Sequence, residues 1–263
     1  MEIVGRGFVA RNLEPIAGSH PGTVVFAAGV SSGSNASMED FAREATMLYE
    51  VVERCRARGR RLVYLSTASK GMYGTHGPPG RERGPVFPST PYARHKLAME
   101  AVLRDSGLDH LVLRLTHLVG PHQRPHQFPP ALVRQILSGT VYIHRGVCRD
   151  LIDIADVVMC LDRLLALGVR REVVNVGSGV AIPVQTVVAH LEERLGVVAD
   201  KRLVEVRDEG RHDISIAKLT ELVPEVKLCG FGPGYYAGVF EKYLPGYVAE
   251  ARRGTADARA GAR

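Results

Sequence analysis

Short apolar runs alternate with stretches of helical periodicity through the first two thirds of the chain. Because strands joined by helical crossovers lie parallel in one sheet, this order predicts an α/β fold built on a parallel sheet. The predicted strands are Met1–Val4, Thr23–Ala28, Arg61–Ser66, Leu111–Leu115 and Val173–Val176.

Two helices in this part of the chain begin at recognisable capping residues. Ser37 precedes Asp40 by three residues and opens a predicted helix from about Met38 to Arg58. A second helix is predicted to begin at Thr90, because a capping threonine followed by Pro91 is typical of a first helical turn. Each predicted helix lies between two predicted strands, as a crossover requires.

Beyond residue 121 the pattern changes to helices separated by short strand-like pieces, which predicts a second, smaller lobe. We assign residues 1–120 to the core domain and 121–248 mainly to the lobe, with one strand near 173–176 returning to the core. Residues 249–263 are rich in arginine and alanine without apolar periodicity, and we predict a disordered tail. The predicted helices of the lobe lie near Pro130–Ser138, Asp156–Leu167, Val184–Leu195 and Ile214–Leu222.

Composition narrows the class of protein. The chain of 263 residues carries a formal net charge of +6, partly from the arginine-rich end. No aromatic-rich strand motif or basic helix accompanies that charge, so a nucleic-acid partner is not expected. No apolar run approaches the ~20 residues of a membrane span. The four cysteines form no CxxC pair and no export signal opens the chain, so a cytoplasmic protein is expected.

A glycine-rich turn follows the first predicted strand. The residues Gly5-Arg6-Gly7-Phe8-Val9-Ala10 match the spacing GxGxxA at a point where a helix begins. Glycines in such a turn allow a dinucleotide pyrophosphate to approach the backbone. A plain tight turn remains the alternative, because glycine-rich turns after strands are common.

A second constellation joins the end of the third predicted strand to the helix that follows Thr90. Tyr92 and Lys96 are four residues apart and therefore share a helical face. A neighbouring ammonium stabilises a phenolate, and the Thr67 hydroxyl could hold a substrate carbonyl while Tyr92 protonates it. The alternative is a surface tyrosine and a solvated lysine. The glycine turn, strand-end hydroxyls and YxxxK spacing in this order favour the catalytic interpretation.

These motifs make the chain resemble the extended short-chain dehydrogenase/reductases, the NAD-dependent epimerase/dehydratase group that acts on nucleotide sugars. The resemblance covers roughly residues 1–244 and implies a Rossmann-like sheet with a substrate lobe and a homodimer. The matching stretches are MEIVGRGFVA, VVFAAG, RLVYLSTAS, MYG, PYARHK, LVLRLTHLVGP, CRDLIDIADV and VVNVGSG. Within that group the chain is most similar to NDP-hexose 4-ketoreductases of deoxysugar pathways.

The resemblance implies a role for individual residues. Tyr92 would donate the proton, Lys96 would bind the nicotinamide ribose and lower the tyrosine pKa, and Thr67 would bind the 4-keto oxygen. The other implied contacts are Gly5, Arg6, Gly7, Phe8 and Ala10 in the first turn, Ala27, Ala28 and Gly29 in the second, and Ser69, His117 and Arg149 for the substrate. Arg149 would grip the nucleotide diphosphate, although a structural ion pair with Asp150 is an alternative for it.

The chain departs from the family pattern in three places. Only residues 11–23 lie between Ala10 of the glycine turn and Val24 of the second predicted strand, so the family's second and third strands are expected to be missing and the first strand to lie at a sheet edge. The residue that reads the adenosine ribose is lost with them, leaving Arg6 to favour NADPH slightly over NADH. Ser69 competes with Thr67 as the catalytic hydroxyl, and Glu44 stands where the family helix tends to carry asparagine.

We therefore expect NAD(P)H-dependent reduction of the 4-keto group of a TDP-linked 4-keto-6-deoxyhexose. A nucleotide-sugar epimerase or dehydratase that retains NAD is the first alternative. A non-catalytic nucleotide-binding sensor or scaffold is the second. His117, His122 and His126 invite a metal site, but no cysteine or carboxylate joins them at ligand spacing, and we expect no metal.

Overall fold

The computed structural model describes residues 1–30, 36–74, 79–205 and 213–260, with only the backbone of 255–260. The strands are β1 (Glu2–Val4), β2 (Thr23–Phe26), β3 (Arg61–Thr67), β4 (His110–Leu115), β5 (His117–Val119), β6 (Thr140–His144), β7 (Cys148–Asp153), β8 (Glu172–Val176), β9 (Ala181–Pro183) and β10 (Asp200–Val204). The helices are α1 (Phe8–Asn12), α2 (Met38–Ala57), α3 (Lys70–Tyr73), α4 (Pro91–Asp105), α5 (Phe128–Leu137), α6 (Ile154–Ala166), α7 (Val184–Leu195), α8 (Ala217–Leu222) and α9 (Tyr235–Ala260).

Five parallel strands form the main sheet in the order β1-β2-β3-β4-β8. The predicted α/β fold, Rossmann-like and reduced, is confirmed. In the described part of the chain β1 pairs only with β2, so it is an edge strand, as the short segment after it predicts. The segment between β1 and β2 holds the five-residue helix α1 and a short 3-10 turn, which leaves no room for a further strand pair.

Local contacts shield the β1 edge. The amino group of Met1 donates to the carbonyl oxygens of Ala17 and Ser19, both at 2.5 Å, so the turn after α1 folds back on the strand. Glu2 forms ion pairs with Arg54 at 2.5 Å and Arg60 at 2.6 Å. A short strand flanked by charged side chains is a poor template for pairing with another chain.

Apolar residues alternate between the two faces of the main sheet. On β2, Val25 packs in one core cluster with residues of α6 and α8, whereas Val24 and Phe26 pack in another with residues of α2 and α4. The capping box predicted at Ser37 is present, and the Thr90 side chain accepts from Ala93 N at the start of α4. The two helices that carry the candidate site are therefore held on one face of the sheet.

A further core cluster is formed by the chain from Val119 onward. It is built from α5, α7 and α9 with residues of β5, β6 and β7, among them Leu132, Val188 and Phe240. By contrast, α6 and α8 contribute to the cluster on the main sheet, so the chain passes between the two core clusters more than once.

The carboxyl end differs from the prediction. We predicted disorder over 249–263, but α9 continues through Ala260; residues 261–263 lie outside the described chain. Alanine and arginine are strong helix formers, and this intrinsic preference extends the helix without an apolar stripe. Across the described residues, no helix combines the length and the apolar character that crossing a membrane requires.

Candidate active site

Three of the predicted site residues meet at the carboxyl end of β3. Thr67 is the last residue of that strand and is buried. Tyr92 and Lys96 lie on α4, with Lys96 Nζ 5.7 Å from the centroid of the Tyr92 ring. The Thr67 hydroxyl is hydrogen-bonded to the Tyr92 phenol. The helix therefore places the phenol and the ammonium on one side of the strand-end hydroxyl, as their spacing predicts.

The structure separates the two alternative hydroxyls. Ser69 is at the start of the short helix α3, and its backbone N–H donates to Thr67 Oγ1 at 3.2 Å. The side chain of Ser69 lies near Gly71, because a Cβ built on that glycine would be 3.5 Å from Ser69 Oγ. Of the two, Thr67 is the hydroxyl hydrogen-bonded to Tyr92.

Glu44 of α2 lies directly behind the lysine. Its carboxylate, 1% exposed, accepts hydrogen bonds from Lys96 Nζ at 2.8 Å, Tyr64 Oη at 2.6 Å and Val30 N at 2.6 Å. His95 Nε2 is 3.5 Å from the second carboxylate oxygen. Burial opposes ionisation of Glu44, but His95, Lys96 and Tyr64 together lower its pKa to about 2. The sequence identifies Glu44 as a departure from the family pattern but does not predict its ion pair with the lysine.

The ion pair changes the expected chemistry of Tyr92. Burial, and then the negative charge of Glu44, raises the pKa of Tyr92 well above its ordinary value, while the Thr67 hydrogen bond acts in the opposite direction. The expectation that Lys96 lowers this pKa is therefore wrong for the structure. The physical reasons are that the phenol is buried, which disfavours its anion most, and that a carboxylate at 2.8 Å balances the lysine charge.

The two glycine turns meet beside this group. Gly5 has φ +134°, and a Cβ built on it would lie 2.6 Å from the carbonyl oxygen of Ala27. A Cβ on Gly29 would be 2.7 Å from Lys96 Nζ, so a glycine is needed there for the lysine to occupy its position. A Cβ on Gly7 would have no atom within 4 Å, and the backbone is open there.

The other residues predicted for the first turn have different surroundings. Arg6 is exposed. Phe8 is partly buried and packs against the core cluster of the main sheet, and Ala10 is buried. The next turn continues from Ala27, whose N–H donates to the carbonyl oxygen of Val4, to Ala28, which packs against the cluster under α2.

Arg149 and His117 come together through Phe128. The Arg149 guanidinium carbon lies 5.8 Å from the Phe128 ring centroid, and the His117 ring meets the same ring edge-on at 6.3 Å. Arg149 Nε is buried without a hydrogen-bond partner. Burial, and then the charge of Arg149, holds the pKa of His117 well below its ordinary value. Within the part of the chain that the structure describes, no carboxylate forms an ion pair with Arg149, which lies beside a neutral imidazole.

The alternative ion pair between Arg149 and Asp150 is not found. Asp150 instead accepts hydrogen bonds from Ser178 N and Oγ and Gly179 N, all at 2.8 Å, and from Thr116 Oγ1 at 3.2 Å. The buried carboxylate therefore fixes the turn after β8 and does not pair with Arg149.

A buried polar network under the site was not predicted. Arg114 of β4 donates to both oxygens of Glu100, at 3.0 and 2.7 Å, and to Tyr73 Oη at 2.9 Å. Tyr73 Oη in turn donates to Asn175 Oδ1 at 2.7 Å, and Ser66 Oγ donates to Glu100 at 2.5 Å. An arginine inside the apolar strand LVLRL was the available signal, because such a charge needs a buried partner.

The histidine cluster forms no metal centre in the part of the chain that the structure describes. No group of three or more histidine, cysteine or acidic side chains is arranged there to hold a metal ion. His117 is instead adjacent to Arg149 and Phe128, as described above.

Comparisons with known proteins identify the family and the fold. Residues 10–177 match the model of the NAD dependent epimerase/dehydratase family. The chain is 31% identical over 182 residues to a dTDP-glucose 4,6-dehydratase of Streptomyces niveus, covering 64% of this chain and 52% of the relative. It is 29% identical over 160 residues to the same-named protein of an Actinoplanes species, covering 57% and 49%. The chain thus spans about half the length of these curated relatives.

Solved structures share the fold. RMD from Pseudomonas aeruginosa, complexed with NADPH, superposes with a TM-score of 0.74 at 23% identity, covering 88% of this chain and 92% of that one. The UDP-glucose 4-epimerase of Thermus thermophilus, in complex with NAD, gives a TM-score of 0.67 at 24% identity, with 86% and 77% covered.

Proposed function

Because the chain belongs to the NAD dependent epimerase/dehydratase family, we propose that it uses NAD(P)H to reduce the 4-keto group of a TDP-linked 4-keto-6-deoxyhexose. The observation that carries this proposal is that the Tyr92 phenol is hydrogen-bonded to the Thr67 hydroxyl at the end of β3, with Lys96 Nζ 5.7 Å from the Tyr92 ring centroid. Reduction of a ketone needs a proton donor on the oxygen, and a neutral phenol is one.

The residues fit a dinucleotide cofactor. The two turns are in contact at Gly5 and Ala27 and leave the backbone open at Gly7, where a phosphate could approach. Lys96 donates to Glu44 and to the carbonyl oxygen of Leu65, so one of its three N–H groups has no partner among the described residues and could bind a ribose hydroxyl. When bound, the nicotinamide supplies the hydride for the reaction.

The protein's own groups orient the ketone and supply the proton. Thr67 Oγ1 and the Tyr92 phenol converge on the place of the carbonyl oxygen, and the phenol protonates that oxygen as the ketone is reduced. Arg149, with a buried Nε that lacks a partner, is suited to bind the diphosphate through its fork of donors. His117 is kept neutral beside it and can hydrogen-bond the substrate without adding charge.

A second candidate is favoured by the names of the relatives, which are dTDP-glucose 4,6-dehydratases. Removal of water from a sugar needs a base for the carbon-bound proton and an acid for the departing hydroxyl. The residues that follow Thr67 are Ala68, Ser69 and Lys70, none of them a carboxylate. Glu44 is enclosed behind the lysine. These observations support the reductase, whereas the relatives support the dehydratase at least as well.

The test is oxidation of NADPH, and separately of NADH, by the purified protein offered a freshly generated TDP-4-keto-6-deoxyhexose. We expect turnover that Tyr92→Phe largely abolishes while substrate binding is nearly unchanged. Thr67→Ala should reduce kcat, whereas the matched change Ser69→Ala should have a much smaller effect.

Three results would contradict the proposal. Full activity in Tyr92→Phe would remove the assigned proton donor. Tightly bound NAD in the purified protein together with conversion of dTDP-glucose would support the dehydratase. Binding of the nucleotide sugar with no consumption of NADPH or NADH, for any keto sugar offered, would support a sensor or scaffold.

The family resemblance also supports a homodimer, formed through α2 and α4, which lie together on one face of the sheet. Exposed apolar side chains of α2, Met38 and Tyr49, are consistent with such an interface. Sedimentation of the full chain tests this part of the proposal, and a monomer at micromolar concentration would contradict it.

A further inference from the structure

Glu44 is held from three different segments of the fold. Val30 N reaches it from the turn after β2, Tyr64 Oη from β3 and Lys96 Nζ from α4, each within 2.8 Å. A carboxylate held by three donors cannot rotate away without leaving buried groups unpaired. The Lys96 ammonium is therefore fixed together with Glu44, and the two charges balance each other.

The balance matters because Lys96 Nζ lies only 5.7 Å from the Tyr92 ring centroid. A lone ammonium at that distance favours the phenolate, whereas an ion pair presents little net charge. A neutral phenol can donate a proton but cannot accept one. We infer that Glu44 is a positioning residue that fixes the Lys96 ammonium in an ion pair and thereby commits Tyr92 to donating a proton to the substrate.

This inference rests on the proposed function, in which Tyr92 protonates a ketone oxygen. It also makes the site unsuited to reactions that begin by oxidising a hydroxyl, because these need the tyrosine as a base. In this site Glu44 thus favours ketone reduction over reactions that begin with oxidation of a hydroxyl.

The other charged or titratable groups around Glu44 do not alter the argument. Tyr64 donates to Glu44, and burial followed by the charge of Glu44 raises its pKa well above the ordinary value, so it stays neutral. Glu100 is paired with Arg114 at 2.7 Å and adds little net charge. His95 also faces Glu44, with its Nε2 3.5 Å from the carboxylate.

The experiment measures ionisation of Tyr92 directly. Alkaline titration of phenolate absorbance in the full chain, with the Tyr92→Phe curve subtracted, isolates this one residue. In the wild type we expect a midpoint above the ordinary tyrosine value of about 10. In Glu44→Gln, measured against Glu44→Gln/Tyr92→Phe, we expect the ionisation constant to rise at least about tenfold, which is one pH unit.

Two variants control for structural effects. Glu44→Asp keeps the charge and should restore the wild-type midpoint. Glu50→Gln changes an exposed carboxylate on the same helix and should leave the midpoint unchanged. In the activity assay, the alkaline decline of kcat/KM for ketone reduction should move to lower pH in Glu44→Gln by the same amount.

The outcomes separate this inference from the proposed function. A wild-type midpoint at or below about 10 overturns the inference even if Glu44→Gln fails to fold. The same is true of equal midpoints in wild type and Glu44→Gln. If the midpoints shift as expected but no keto sugar is reduced, the role of Glu44 toward Tyr92 stands and the proposed substrate reaction fails.

Discussion

Replacement of Arg114 by methionine should strongly destabilise the fold beneath the site. Arg114 is 4% exposed, and its guanidinium donates to both oxygens of Glu100, at 3.0 and 2.7 Å, and to Tyr73 Oη at 2.9 Å. Without it, Glu100 keeps Ser66 as a hydrogen-bond donor but carries an unbalanced buried charge. Breaking one side of a buried pair costs about 3–5 kcal/mol.

That loss is a large part of the ~5–15 kcal/mol by which a domain is normally stable. Urea unfolding followed by circular dichroism measures it as the difference in free energy of unfolding. The matched control is Arg104→Met, because the Arg104–Asp105 pair is 3.4 Å apart with side chains 70% and 75% exposed. An exposed pair of this kind contributes roughly 0–1 kcal/mol.

A second variant tests the cause of the loss. Glu100→Gln combined with Arg114→Met removes both charges, so it should recover part of the stability lost by Arg114→Met alone. If Arg114→Met were within about 1 kcal/mol of the wild type, or if the double variant were less stable than the single one, a buried ion pair could not be what supports this region.

Four further predictions follow from single residues. The pKa of Glu44 is lowered from 4.5 to about 2, so its carboxylate stabilises the fold by on the order of 3 kcal/mol above pH 4.5. This stabilisation is lost as the pH falls from 4.5 through about 2. In Glu44→Gln, the free energy of unfolding in urea should therefore depend less on pH over this range. Gly5→Ala should destabilise the protein by at least ~1–3 kcal/mol and weaken NADPH binding, whereas Gly7→Ala should leave the free energy of unfolding nearly unchanged. Arg149→Lys should raise the KM for the nucleotide sugar with little change in kcat; an equal fall in kcat would assign it to the reaction step. Arg6→Ala should raise the KM for NADPH and not for NADH, and equal effects on both would exclude a contact with the 2′-phosphate.

Most of the main sheet could be predicted because each strand is a short apolar run bounded by polar turns. The strand predicted at Arg61–Ser66 extends by one residue to Thr67, and the helix predicted over Val184–Leu195 has those bounds in the structure. The edge position of β1 follows from the length of one segment, since the thirteen residues 11–23 cannot hold two more strands. At the carboxyl end the predicted disorder neglects the intrinsic helix preference of alanine and arginine, and α9 continues past Ala251.

The candidate site could also be predicted only in part. The juxtaposition of Tyr92 and Lys96 follows from helical periodicity, which is a local property. Their charge state does not, because Glu44 lies 52 positions from Lys96 in the sequence and meets it only through packing of α2 against α4. A sequence pattern gives the residues of a site more readily than the pKa values, since a pKa depends on burial and on partners brought in by the fold.

The shortened sheet and the intact site are compatible because they lie on different parts of the fold. Thr67 is on β3, Tyr92 and Lys96 are on α4, and Glu44 is on α2, so none of these residues depends on a strand beyond β1. The missing strands would have contributed to the adenosine side of a dinucleotide site. Loss of that side removes binding contacts that are the same in the ground state and in the transition state, and such contacts set KM rather than kcat. The proposed reduction is therefore compatible with a cofactor that has few contacts on its adenosine side.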